Sequence, residues 1–354
     1  MKKGFMQGTV ALLAGMLLVA PLQPSIAKAA EGTTFDMYFP TDIEDHWAYS
    51  EIDNFVVADL LKGYKDASGN VLVKPEKSIT RAEFVAILVR ALGLKSEEAG
   101  QTFTDVPAGE WFTEPVRIAS SLGVVNGVTE TEFSPNQPIE RGEIATMIVR
   151  AFKDTVVFNE EAGDVQFDDV PASDYFATES IAQANEAGIV NGVEERLFKP
   201  FANAKRAQAV VMLQRALDLQ ESNLPDEEML KSVILDADKA ELESINKGEI
   251  QGLGDLLSKQ YTAFQLVSLE QYIEGMQDLV KDGIAISVGE TGARNLEVTA
   301  VSDRFAVIKS TGGTWQFTYA YDGEQQTETV SSDGHYYMKK TDDGTWKIYA
   351  IYEE

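Results

Sequence analysis

Three arginines, Arg81, Arg141 and Arg206, stand at the start of three similar apolar patterns with helical spacing. A guanidinium group stays charged and presents a planar set of donors that matches a carboxylate. In the first turn of a helix it lies beside free backbone amides and the positive end of the helix dipole, which also favour an anion. A single arginine in this position is more often structural, but its triplication indicates several equivalent anion-binding grooves.

The sequence around these arginines repeats at intervals of 63 and 64 residues. Each copy begins with an aspartate, and the three are Asp42, Asp105 and Asp169. An aromatic residue follows shortly afterwards, and these are Trp47, Trp111 and Tyr175. The aspartates could accept hydrogen bonds from hydroxyl groups of a ligand, cap helices or orient the arginines. The aromatic rings could stack on a ligand or pack the interface between copies.

Each copy is expected to consist of two helices joined by a loop. The turn after the first helix contains a glycine in all three copies. These glycines belong to the candidate binding residues and are Gly63, Gly127 and Gly192. In two copies an earlier glycine, Gly123 or Gly188, is placed to end the first helix in the left-handed conformation. The second helix of the first copy opens with Thr80 and Glu83, which predicts a reciprocal capping box.

The repeats are assigned to residues 36–95, 100–155 and 164–220. A copy of about 55 residues is small for an independent core, so the three should pack around a shared one. A linker at 221–226 then leads to a separate C-terminal domain at 227–354.

The repeated pattern resembles the S-layer homology family. The resemblance rests on Phe-x-Asp-Val at 103–106 and 167–170, on Trp47-Ala48, on the Gly-x-x-x-Gly turns and on Thr80-Arg81-Ala82-Glu83. It implies an all-α, pseudo-threefold bundle that binds secondary cell-wall polysaccharide in grooves between repeats, often through a pyruvylated terminal sugar. It therefore also implies a secreted protein that is anchored non-covalently to the cell wall, at the cell surface or in an S-layer.

The copies differ at positions that bear on binding. The second copy has Glu140 beside Arg141, and the third has Lys205 and Gln208 where the first has Thr80 and Glu83. A carboxylate at Glu140 would repel an anionic ligand if it pointed into the groove. The sequence therefore predicts that Arg81→Ala lowers wall binding more than Arg141→Ala does.

The composition excludes several other classes of function. Asp and Glu total 57 against 30 Lys and Arg, which disfavours nucleic acid and anionic lipid as partners. The chain has no cysteine, which excludes disulfides, thiolate metal sites and a cysteine nucleophile. Only two histidines are present, so a histidine-based metal site is not expected, and no cofactor is predicted.

The first 30 residues have the pattern of a secretory signal peptide. Lys2 and Lys3 precede an apolar stretch, and small residues around Ala29 fit a cleavage site. The apolar stretch is too short to cross a bilayer, which needs about 20 residues, so no membrane span is expected in the mature chain. Removal of Lys2, Lys3 and Lys28 takes the net charge from −27 to −30.

From about residue 226 the pattern changes from helices to alternating strands. Helices are predicted at 229–246, 253–257 and 268–281, followed by four to six antiparallel strands, an α+β arrangement. Separate strands are expected at 305–309 and at 315–321. The order, with Asp343-Gly344-Thr345-Trp346-Lys347-Ile348 near its end, resembles the NTF2-like or SnoaL-like family. That resemblance implies a cone-like domain in which a curved antiparallel sheet and helices enclose a pocket for an unknown ligand.

Three functions are compatible with these patterns. The first is a non-catalytic anchor that displays a C-terminal domain for binding a ligand or partner. The second makes the C-terminal domain an isomerase-like or hydrolase-like enzyme, for which Tyr261, Tyr272, Tyr319 and Asp255 are the candidate residues. The third is a structural S-layer subunit, which a C-terminal domain of this size does not favour.

Overall fold

The computed structural model describes residues 34–159 and 166–353. The expected signal peptide and the first two residues of the expected third repeat lie outside the described residues. The chain divides into two compact units. The repeat unit comprises residues 40–224 with 302–304, and the C-terminal unit comprises 34–39, 225–301 and 305–353.

The described part of the repeat unit contains six helices, two from each copy. They are α1 (Tyr49–Val57), α2 (Arg81–Leu92), α3 (Thr113–Ser121), α4 (Arg141–Phe152), α5 (Thr178–Glu186) and α6 (Arg206–Asp218). The unit is not purely helical, because two short antiparallel strands, β1 (Tyr64–Lys65) and β2 (Val71–Leu72), form a hairpin in the loop of the first copy.

The predicted local signals at the helix ends are confirmed. Gly123 and Gly188 have φ values of 69° and 77°, and Asp59 takes the same left-handed conformation in the first copy with φ of 60°. Aspartate is one of the few other residues that tolerate this region. Thr80 and Glu83 form the reciprocal capping box, with both side chains accepting from backbone amides at 3.2 and 2.9 Å.

A ring of backbone hydrogen bonds joins the three copies at their centre. Ile79 N–H donates to Ala204 at 3.0 Å, Ala204 N–H to Ile139 at 2.8 Å, and Ile139 N–H back to Ile79 at 3.0 Å. All three side chains are fully buried. Because each copy donates to a different neighbour, the contacts close on themselves and the copies share one core, as their small size requires.

The C-terminal unit begins with helices. They are α7 (Glu227–Lys247), α8 (Leu253–Leu257) and α9 (Ala263–Lys281), with a 3-10 turn at Ile250–Gly252 between the first two. Asp226 caps α7 by accepting from Met229 N–H at 2.9 Å, and Gly248 ends it with φ of 74°. Another 3-10 turn, Phe35–Tyr38, lies ahead of the repeats in sequence but packs its aromatic rings on Phe264 of α9.

Five antiparallel strands form one sheet, β3 (Ala285–Val301), β4 (Phe305–Tyr321), β5 (Glu324–Ser331), β6 (Gly334–Lys340) and β7 (Trp346–Glu353). The long β4 pairs with β3 along one edge, and with β5 and then β6 along the other. Strand β7 completes the sheet beside β6. The register shifts near Gly292, where Gly292 and Gly312 lie so close that a side chain on either would meet the opposite backbone.

Two sequence predictions about this sheet are wrong. Phe305–Lys309 and Trp315–Tyr321 were expected as separate strands, but they form one continuous strand that passes through Gly312 and Gly313. The strand Glu324–Ser331 was not predicted, because only Val330 among its residues is buried and it has no apolar face. Helices and a curved antiparallel sheet agree with the predicted α+β class, while the likeness to the NTF2-like family stays a prediction.

Candidate functional site

Each of the three arginines reaches from its own copy into the next. The Nε atoms donate to the carbonyl oxygens of a facing loop, Arg81 to Phe133 at 2.9 Å, Arg141 to Phe198 at 2.8 Å and Arg206 to Val73 at 2.9 Å. The Nη2 atoms donate to the carbonyl that precedes the glycine of the turn, at Asn126, Asn191 and Lys62 respectively. The contacts run from copy one to two, from two to three, and from three back to one.

The guanidinium groups are therefore not open to solvent in the way that the sequence suggested. Arg81, Arg141 and Arg206 are 3%, 4% and 3% exposed. Their Nε and Nη2 donors are engaged by backbone carbonyls, which fixes the three seams of the bundle. A role in glycan binding depends on the donors that remain.

The remaining donors differ among the three seams. Arg81 forms an ion pair with Glu143, and Arg206 Nη1 lies 3.2 Å from Glu83. Glu83 and Glu143 occupy the same place in the second helix of their copies, and Gln208 stands at the corresponding place in the third. Within the described parts of the chain, Arg141 has no carboxylate at ion-pair distance.

The electrostatics reflect this difference. Burial lowers the pKa of Arg141 to about 10, and the charge of Asp169 raises it only in part. Arg141 is the least compensated of the three buried cations, since Asp169 offsets its charge only in part and no carboxylate of the described residues lies at ion-pair distance. The structure thus places the least compensated cation in the seam that the sequence ranked lowest, and Glu140 forms no ion pair with it.

The three aspartates hold the facing loops in place. Each carboxylate accepts from two consecutive backbone amides at 2.7 to 2.9 Å, namely those of Val73 and Lys74, Phe133 and Ser134, or Phe198 and Lys199. The second residue of each pair has a left-handed φ of 57° to 59°. Because these same loops supply the carbonyls that accept from arginine Nε, the aspartates position the acceptors of the arginines.

The exposed aromatic position is Trp47, Trp111 and Phe176, and not Tyr175 in the third copy. These residues directly precede the helix N-caps Ala48, Phe112 and Ala177, and they are 63%, 58% and 61% exposed. Tyr175 was predicted because it follows the aspartate, but the third copy has one more residue between the aspartate and the helix than the second copy, and two more than the first. Counting back from the helix start would have identified Phe176.

Tyr175 instead fills the seam between copies two and three. Its ring packs between Phe176 and Phe201, with centroid distances of 4.9 and 4.8 Å. A Cβ at Gly142 would overlap its hydroxyl, which explains why glycine replaces the alanine of the other copies. The hydroxyl is buried and has no hydrogen-bond partner among the described residues. Burial and the charges of two nearby glutamates raise the pKa of Tyr175 to about 12.

Gly63, Gly127 and Gly192 are needed for close packing of the turn. None has a left-handed φ. A side chain on any of them would press on the backbone of the same loop or on Val71, Phe103 or Phe167. They let the preceding carbonyl reach the arginine of the neighbouring copy.

The C-terminal unit contains a second group of polar side chains. Arg294 pairs with Asp238 and donates to Ser310 at 2.8 Å and to Tyr336 at 2.6 Å. Beyond this network, burial raises the pKa of Glu241 to about 7 and that of Tyr272 well above its ordinary value. Tyr261, Tyr272 and Tyr319 are buried, whereas Asp255 is exposed and does not join them.

The described residues contain neither a candidate metal site nor a candidate membrane span. No group of three or more acidic or histidine side chains there could hold a metal ion. In the same residues, no helix combines the length and apolarity that crossing a bilayer requires.

Comparison with known proteins identifies the repeats. Residues 102–145 and 166–210 match the S-layer homology domain. A surface layer protein of Brevibacillus choshinensis is 27% identical over 270 residues, 70% of this chain and 22% of that protein. The cellulosome-anchoring protein of Acetivibrio thermocellus is 29% identical over 165 residues, 46% of this chain and 36% of that protein. An amylopullulanase of Thermoanaerobacterium thermosulfurigenes is 32% identical over 178 residues, 50% of this chain and 9% of that protein.

This chain spans less than half the length of each of these relatives. The likeness to enzymes lies in the S-layer homology region only, so it carries no catalytic residue to this chain. The matched domains and the surface-layer and anchoring relatives support a secreted protein at the cell surface, held there through its S-layer homology repeats.

Proposed function

We propose that the repeat unit binds secondary cell-wall polysaccharide, and that the seam between copies two and three takes its acidic terminal sugar. The observation that carries the proposal is Arg141, a buried cation with two backbone acceptors and no ion-pair partner among the described residues. A pyruvate ketal supplies a carboxylate that would balance this charge. The low polarity around a buried arginine would strengthen that interaction.

The neighbouring aromatic residues support recognition of a sugar at the same seam. Tyr175 meets Gly142, the residue after Arg141, and Phe176 beside it is exposed. An exposed ring can pack on the apolar face of a sugar, and the unpartnered Tyr175 hydroxyl can donate to one of its oxygens. Arg81 and Arg206 already have carboxylates of the protein, so we assign them to holding the bundle closed.

Sedimentation of the full chain with purified cell walls tests the proposal. Arg141→Gln should weaken binding by about tenfold or more, as loss of a charged hydrogen-bonded pair would. Removal of pyruvate groups from the walls should weaken the wild type to a similar degree and leave Arg141→Gln unchanged. Unchanged wild-type binding to walls without pyruvate would refute the carboxylate mechanism, although anchoring itself would stand.

We further propose that the C-terminal unit is the displayed part of the protein and binds a ligand or partner without catalysis. Its Asp238–Arg294 network is satisfied internally, which favours a structural role. The enzyme alternative is supported by one observation, the buried Tyr272 hydroxyl that lies beside Glu241, a carboxyl group whose pKa burial raises to about 7.

A further inference from the structure

The seam between copies three and one carries a group of cations that the other seams lack. We propose that Lys74 and Lys77, with Tyr64 between them and Arg206 behind, form a site for a phosphate group on an anionic saccharide chain. This site is separate from the Arg141 seam, and it depends on the proposed wall binding only for the natural source of the phosphate.

Three positive charges surround one aromatic ring at this seam. The Nζ atoms of Lys74 and Lys77 lie 5.1 and 5.4 Å from the centre of the Tyr64 ring, and Cζ of Arg206 lies 5.0 Å from it. Lys74 and Lys77 are exposed, and so is the nearby Lys62. Glu83 balances the charge of Arg206 at 3.2 Å, whereas the two exposed ammonium groups have no acid at ion-pair distance in the described residues and repel one another.

The carboxylates of the seam already have other partners. Glu76 binds His46 and Lys205, while Glu83 accepts from Tyr64 and from the backbone of Thr80. Asp42 accepts from the amides of Val73 and Lys74. The pKa of Glu83 lies below its ordinary value. Burial acts to raise this pKa, but the hydrogen bonds from Tyr64 and Thr80 and the charges of Arg206 and Lys77 together outweigh it. Each acid is thus committed within the protein.

Lys62, Lys74 and Lys77 have no carboxylate at ion-pair distance in the described residues. Several other described lysines also lack such a pair, among them Lys153, Lys239 and Lys259, whereas Lys199, Lys205, Lys231, Lys247 and Lys281 have one. Lys74 and Lys77 differ from the other unpaired lysines because both lie beside one aromatic ring, together with Arg206. Two exposed ammonium groups gathered beside a buried cation favour the binding of an external anion there.

The residue types favour phosphate over carboxylate. Lysine ammonium groups act as compact point charges with freely rotating donors, which suits the several oxygens of a phosphate. The planar donors that would select a carboxylate belong to Arg206, which is buried and engaged by Val73, Tyr64 and Lys62.

Titration calorimetry of the full chain with sodium tripolyphosphate at low salt tests this site. Lys74→Gln combined with Lys77→Gln should weaken binding about tenfold or more, with a shallower salt dependence. The matched control, Lys247→Gln with Lys281→Gln, removes the same charge from two exposed lysines of the C-terminal unit that form ion pairs, and it should bind like the wild type. Equal affinities of the wild type and the Lys74/Lys77 variant, or an equal loss in the control, would overturn the proposal.

Two further measurements separate this site from the Arg141 seam. Oligogalacturonate of similar charge should bind more weakly than tripolyphosphate, and tighter binding that depends on Lys74 and Lys77 would refute the assignment to phosphate. Arg141→Gln should retain its affinity for tripolyphosphate while losing wall binding. A wild-type chain that binds tripolyphosphate through these lysines but not cell walls would contradict the proposed function and leave this site standing.

Discussion

At the scale of single residues, three arginines in one sequence setting have different electrostatic surroundings. Arg81 and Arg206 face carboxylates from the next copy, whereas the corresponding residue for Arg141 is the neutral Gln208. The ranking that Glu140 suggested stays untested, and our proposal places the anion at Arg141 instead. In that proposal, Gln208 in place of a glutamate leaves the Arg141 seam free to accept an outside anion.

The first prediction compares Arg81→Leu with Arg141→Leu in urea denaturation of the repeat unit. Arg81→Leu should lower the free energy of unfolding by about 3 kcal/mol, because it leaves Glu143 and two carbonyls without their partner. Arg141→Leu should cost at most about half as much, since it also removes an uncompensated buried charge. Equal losses would show that the two cations are equally compensated, against our assignment.

The second prediction concerns a variant that adds a carboxylate facing Arg141. Gln208→Glu should stabilise the repeat unit by about 1 kcal/mol through an ion pair with Arg141, and should weaken binding to pyruvylated walls several-fold. Thermal unfolding and wall sedimentation measure the two effects. Gln251→Glu changes the net charge equally at an exposed position of the C-terminal unit and should alter neither. Stronger wall binding by Gln208→Glu would contradict the Arg141 site.

At the scale of elements, the turn at Phe35–Tyr38 belongs with α9 rather than with the first repeat, where the sequence placed residues 36–39. The Phe35 and Tyr38 rings lie 6.0 and 5.4 Å from the Phe264 ring. Aromatic pairs at such distances add to the free energy of burial. The expected repeat boundary ignored this contact because the partner lies more than 220 residues away.

The third prediction is a double-mutant cycle on this contact. Phe264→Ala should lower the free energy of unfolding of the C-terminal unit by about 2 kcal/mol. Combined with Phe35→Ala it should lose less than the sum of the single changes, by about 1 kcal/mol. Hydrogen exchange of the α9 amides reports the stability of this unit directly. Strictly additive losses would show that the two rings do not interact.

Local signals in the sequence identified most elements, and the misses have physical causes. Thr80 and Glu83, Gly123 and the helix at Leu253–Leu257 were predicted correctly because caps and periodicity are local. The strand Glu324–Ser331 was missed since its stability comes from pairing with β4, which no pattern in its own residues shows. The internal partners of the arginines were missed for the same reason, because their acceptors lie 45 to 144 residues away.

At the scale of the whole molecule, the two units should respond differently to pH. Burial raises the pKa of Glu241 to about 7, above the ordinary value of 4.5 that it would regain on unfolding. Between these values the folded state binds more protons than the unfolded state, so stability is greatest at low pH and falls as pH rises. In the repeat unit burial also raises the pKa of Asp218, but a hydrogen bond from Gln214 opposes that rise, and the buried arginines remain charged across this range.

The fourth prediction concerns this fall in the stability of the C-terminal unit as pH rises. The C-terminal unit should lose about 1–3 kcal/mol of stability between pH 5 and pH 8. Glu241→Gln should reduce this dependence and leave the share of Asp238, whose pKa burial raises to about 6. Exchange of α7 and α9 amides at the two pH values measures it. A unit that is more stable at pH 8 than at pH 5, or a glutamine variant with the full dependence, would contradict the burial of an acidic group at this position.

The arginine contacts between the copies form a closed ring of three, and this ring determines how many copies one chain can contain. Each of Arg81, Arg141 and Arg206 donates to a loop of the following copy. Copy three contacts copy one in the same way, although no peptide link joins these two copies directly. A fragment with only two copies would hold one arginine and one acceptor loop that cannot meet. Such fragments should exchange these parts between chains and assemble as domain-swapped oligomers. In a chain with three copies, each of the three arginines already contacts a loop of its own chain, so such exchange is not expected.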